Sequence, residues 1–170
     1  ASEVRACQAD PRGDKRTRRV AELLDSDDHA RHLARNWERV LMGHEVKNRL
    51  VDRAALRNWL EAKFKADAPW DEIVRGLISA EGQSSVGGRR GAFMYNEDPE
   101  RAVEEQKSGV NGATNYTLRF MPNPGDLAGH ASRSFLGVQI QCAQCHDHKW
   151  EKWTQADFEG FSAAFTRVNV

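Results

Sequence analysis

A mostly α-helical fold in a single domain is predicted for this chain of 170 residues, on three observations. Apolar residues recur at spacings of three and four along much of the sequence, strand signals are weak, and residues that cap helices stand at the ends of the periodic runs. The 39% hydrophobic content suffices for one modest core at this length, so residues 1–170 are read as one domain.

From Asp14 to Gly43 the apolar positions Val20, Leu23 and Leu24, then Leu33, Trp37, Val40 and Leu41, fall at helical spacing. The acidic run Asp25 to Asp28 divides them into two helices, and Gly43 suits the end of the second. Asp52 can cap a third helix whose inward face is Leu56, Trp59, Leu60 and Phe64. Pro69 stands at the start of a fourth, carrying Trp70, Ile73, Val74, Leu77 and Ile78. The stretch Gly82 to Gly91 lacks the lysine and hydroxyl residue of a phosphate-binding loop and reads as a flexible connection. Residues 92–125, interrupted by Pro99, Pro122 and Pro124, read as irregular chain from which a binding wall can be built. A helix is then expected from Leu127 through Phe135, Leu136, Val138 and Ile140 to the cysteines. A last one runs from Thr154 through Phe158, Phe161 and Phe165, with Thr154 and Asp157 spaced as a capping box.

Lysine plus arginine and aspartate plus glutamate both number 25, so the balance favours neither a nucleic-acid partner nor an acidic tail. No stretch approaches the roughly 20 apolar residues of a membrane span. The start, Ala1-Ser2-Glu3-Val4, has no signal-peptide core, so export would require a leader outside this sequence. Three cysteines do not make a disulfide framework, and Cys7, in a polar segment, reads as a free surface thiol.

The chemistry concentrates in Gln141-Cys142-Ala143-Gln144-Cys145-His146-Asp147-His148. Cysteines three apart share one helical face, and a histidine directly after the second can reach the same side. That is what covalent haem attachment needs: two thiols for the two vinyl groups and one imidazole for the iron. Chance would supply this pattern on the order of once in a thousand such chains. One haem c, held through Cys142 and Cys145 with His146 as axial ligand, is therefore the leading reading. Three rivals stay open. A thioredoxin-like redox pair would need alternating strands and helices before it. A zinc-stapled structural or interaction domain could use Cys142, Cys145, His146 and His148, although structural zinc normally draws a second pair of ligands from a distant segment. Two plain thiols beside a surface histidine are the last.

The stretch from Phe135 to Lys149, followed by Trp153-Thr154-Gln155-Ala156-Asp157-Phe158, resembles the helical cytochrome c-like domain family of large planctomycete surface proteins, a family long without an assigned function. Weaker similarity runs through Ala34-Arg35-Asn36-Trp37 and Ala66-Asp67-Ala68-Pro69-Trp70-Asp71. Members of that family usually carry histidine where this chain has Asn36, and often histidine-proline where it has His148-Lys149. The resemblance implies an exported, periplasmic or cell-surface, haem-associated domain, and it supplies no substrate and no catalytic residue.

The ligand opposite His146 decides between electron transfer and chemistry at an open iron. Met94 is the first candidate, at a position where some members of the resembled family carry histidine; His44 and Met121 follow, with Met42 also upstream. His148, two residues from His146, is better placed to bond a haem propionate or backbone. His130 would lie four turns away on the expected helix, roughly 24 Å by helical rise. His29 and His32 read as solvated. Trp150 and Trp153 flank the motif and can shield a porphyrin edge, whereas Trp37, Trp59 and Trp70 lie on apolar helix faces. The combined expectation is an electron-transfer module that serves a redox partner protein within a larger exported assembly, with haem-enzyme chemistry left open.

Overall fold

The computed structural model describes residues 2–45, 48–85 and 109–166. Among these described residues, eight α-helices carry the fold: α1 (Ser2–Ala9), α2 (Lys15–Leu24), α3 (Asp27–Met42), α4 (Arg53–Lys65), α5 (Trp70–Ile78), α6 (Thr114–Leu118), α7 (Pro124–Ala131) and α8 (Gln155–Ala163). The described residues contain no strand, and the mostly helical single domain expected from periodicity is what forms.

Helix α3 begins where Ser26 accepts a hydrogen bond from the His29 amide at 3.3 Å, with Asp27 and Asp28 at the positive end of the helix dipole. It stops at Gly43, whose φ of 63° is a conformation that favours glycine. Ala30, Ala34, Glu38 and Leu41 face inward at three- and four-residue steps, and the small alanines let α4 approach closely. Asp52 caps α4 by accepting from the Ala55 amide at 3.1 Å, and Leu56 and Leu60 enter the core. Helix α5 adds Ile73 and Leu77. Trp37 and Trp70 pack with ring centroids 4.2 Å apart and planes tilted by 42°.

Two expectations require correction. Helix α2 forms, but Val20, Leu23 and Leu24 are each about half exposed. Neither α1 nor α2 buries a residue; an ion pair at 2.9 Å between Glu3 and Arg19 joins them. The second concerns residues 92–125: within them, α6 is buried along its whole length despite its polar sequence Thr-Asn-Tyr-Thr-Leu. The polar groups buried there are satisfied locally or across elements. Asn115 accepts from the Asp52 amide at 2.7 Å and donates to the Ser84 carbonyl at 2.7 Å; Thr114 donates to the Asn111 carbonyl at 2.7 Å. One short helix thus ties the start of α4 to the chain at Ser84. Residues 86–91 of the glycine-rich stretch, and Met94, lie outside the described residues.

Candidate haem-attachment site

The expected continuous helix from Leu127 to the cysteines does not form. Helix α7 begins at Pro124, capped by Asn123, and widens into a π-type turn over Ser132–Leu136 that ends at Gly137 with φ 69°. Leu136 is left 64% exposed. The left-handed residue reverses the chain, as glycine does at many helix ends. Ser132 fastens the reversal by donating to the Val138 carbonyl at 2.7 Å, and the motif follows on a short 3₁₀ helix, Ile140–Gln144.

This doubling back places Gln141 against α7: a Cβ added at Gly129 would lie 2.8 Å from the Gln141 side chain. His130, expected to be remote, therefore lines the same cleft as Gln141. That cleft has a volume of about 430 Å³ and also includes Arg119, Met121, Asp126 and Arg133. A second, of about 180 Å³, shares Arg133 and Gln141 and reaches Cys142. Sequence reasoning missed this cleft, because the only signal for it is Gly137 as a helix stop.

Cys142 lies within this 3₁₀ helix and Cys145 directly follows its last residue; both are exposed free thiols. Beneath them Ile140, Ala143 and Phe158 form a small apolar cluster, with Trp153 and Phe161 packed on it. Phe161 also packs against the main core. Trp153 is thus half-buried under the motif, whereas Trp150 is 89% exposed.

His146 is exposed, and its Nδ1 lies 2.7 Å from the Asp147 carbonyl oxygen. A carbonyl only accepts, so in the neutral ring the proton sits on Nδ1 and the lone pair on Nε2, the form that binds a metal or an iron. His148 is held differently: its Nδ1 accepts from the Glu151 amide at 2.9 Å and from the Trp150 amide at 3.3 Å. That contact puts the neutral ring's proton on Nε2 and makes His148 the cap of a turn. Among the described residues, no group of three or more His, Cys, Asp or Glu side chains is arranged to hold a metal ion. A zinc held by Cys142, Cys145, His146 and His148 would require this turn to rearrange.

The other candidates scatter. Met42 is fully buried in the core. His44 is exposed, with its carbonyl accepting from Arg53 at 3.1 Å. Arg53 also pairs with Glu38, which is buried. His32 is exposed and bonds Asn36 at 2.9 Å. Met121 lines the cleft that also holds His130 and Gln141, the residue before Cys142.

His130 is buried, with its Nδ1 3.1 Å from the Tyr116 hydroxyl and the Val40 backbone as a further partner. Burial, reinforced by the positive charge of Arg119, lowers its pKa from the ordinary 6.5 to about 4. Burial likewise raises the pKa of the Tyr116 phenol, so the phenol donates to a neutral imidazole. The unfolded chain takes up this proton as pH falls through 6.5, and the folded chain does so only near 4. The associated stability is present above 6.5 and is lost on acidification. His130→Phe, which cannot titrate, should flatten the fall in urea midpoint between pH 7 and 4, whatever its overall cost; an unchanged slope would show that other groups govern acid stability.

No described helix is long and apolar enough to cross a membrane. Comparison with curated proteins and with solved structures brought no match. The model of the PSCyt2 family, described as a protein of unknown function (DUF1549), matches residues 1–170. With every residue of the chain covered by that match, the protein belongs to the PSCyt2 family.

Proposed function

We propose that this chain carries one covalently attached c-type haem and serves as an electron-transfer domain. Cys142 and Cys145 would hold the ring through two thioether bonds, and His146 would bind the iron. When bound, the haem supplies a one-electron couple between ferrous and ferric iron. The observation that carries this reading is the motif itself as folded: one exposed thiol in a 3₁₀ turn and a second at its end, followed by an exposed imidazole whose Nδ1 is held by the Asp147 carbonyl. The apolar cluster of Ile140, Ala143, Phe158 and Trp153 would back the attachment turn.

The ligand opposite His146 is proposed as a methionine, with Met94 first by sequence and Met121 second by its place in the adjoining cleft. Either thioether favours ferrous iron relative to a second imidazole and raises the potential. The chain would serve a redox partner within a larger exported assembly, in a periplasmic or cell-surface setting; these assignments rest on the resemblance and the haem reading together.

The test is the absorption spectrum of chain purified from a host that attaches haem outside its cytoplasm. Haem bands that stay with the protein through acid-acetone extraction support covalent attachment. Colourless protein with one zinc by elemental analysis would replace the reading with the zinc-stapled domain.

A further inference from the structure

Resting on the haem reading, we infer that Asp147 is the positioning residue of His146, holding the imidazole in its ligating form by locking the motif to the first amide of α8. The Asp147 carbonyl takes the His146 Nδ1 proton at 2.7 Å, yet this peptide lies outside any helix and has no helical ladder to orient it. Its orientation comes from two anchors. The Asp147 carboxylate accepts from the Gln155 amide at 2.9 Å, and the next amide, of His148, donates to the Trp153 carbonyl at 2.8 Å. Gln155 opens α8, and Phe158 on that helix is buried against Ile140 and Ala143. The direction of the imidazole is thereby tied to the apolar cluster below the cysteines.

Asp147 is not needed as the cap of α8. Thr154 and Asp157 already form a capping box there, with Thr154 accepting from the Asp157 amide at 3.2 Å and the Asp157 carboxylate accepting from the Thr154 amide at 2.8 Å. The Gln155 amide is one of the helix-start donors that has no partner within the helix. An aspartate placed on it beside a capping box makes sense as a clamp on residue 147. Outer partners of this kind fix the tautomer of a ligating histidine and raise its basicity.

Two-bond nitrogen-proton correlation spectra of the haem-free chain, at a pH where the ring is neutral, test this directly. The unaltered chain should show His146 protonated at Nδ1. Asp147→Ala should lose that signal, and Asp147→Asn, whose amide oxygen still accepts, should keep it. Gln155→Pro deletes the donor at a helix position where proline is tolerated and should reproduce the loss while α8 stays helical. Nδ1 protonation retained in both Asp147→Ala and Gln155→Pro, or absent from the unaltered chain, would overturn the inference. In haem-loaded protein, Asp147→Ala should raise the reduction potential relative to the unaltered chain and Asp147→Asn; equal potentials would count against the clamp. The haem-free spectra decide the role of Asp147 even if no haem attaches, so the two claims fail separately.

Discussion

Gly112→Ala should remove a large part of the stability of the fold. A Cβ at this position would lie 2.0 Å from the Ala55 carbonyl oxygen and 2.6 Å from its carbon, and backbone inside α4 cannot step aside. Relief requires α4 and the segment leading into α6 to separate, which opens the contact that buries Ala55, Leu56 and Asn115. Overpacking typically costs about 1–3 kcal/mol, and a backbone collision belongs at or above the top of that range. Since small domains hold only about 5–15 kcal/mol in total, the urea midpoint should fall steeply or the transition disappear. Gly13→Ala is the control, because nothing lies within 4 Å of its added Cβ. A Gly112→Ala midpoint equal to that of the control would contradict the packing of α4 against α6.

Cys142→Ala combined with Cys145→Ala should abolish covalent haem attachment completely and leave the urea midpoint of the haem-free chain nearly unchanged. Both side chains are exposed, so their removal opens no cavity; exposed substitutions away from special features usually stay within about 0.5 kcal/mol. Cys7→Ala should leave attachment intact, because Cys7 lies on α1, where it lines a separate cleft with Asp10 and Arg19. Loss of haem in the Cys7 variant would show that the attachment thiols have been misassigned.

The parts that were legible in the sequence are those written in helical periodicity and capping chemistry. Asp52 and Thr154 cap the helices they precede, and Leu56, Leu60, Ile73 and Leu77 are buried as their spacing requires. Helix α6 was hidden because its burial is made possible by hydrogen bonds that Asn115 and Thr114 form with backbone, which hydrophobic patterning does not register. The apolar positions of α2 misled for the opposite reason: helical spacing fixes which residues share a face, but not whether another element covers it. At the site, the spacing of Cys142, Cys145 and His146 was plain, whereas the clamp through Asp147 depends on a helix eight residues later. The cleft with Met121 and His130 depends on the reversal at Gly137, and one glycine in an apolar run does not announce a change of direction.

Intact mass of the chain, matured where haem attachment occurs and measured under denaturing conditions, tests the central claim most directly. The expected result is the polypeptide mass plus one haem, and the bare polypeptide mass for the double Cys142→Ala, Cys145→Ala variant. A bare polypeptide mass for the unaltered chain would contradict covalent attachment.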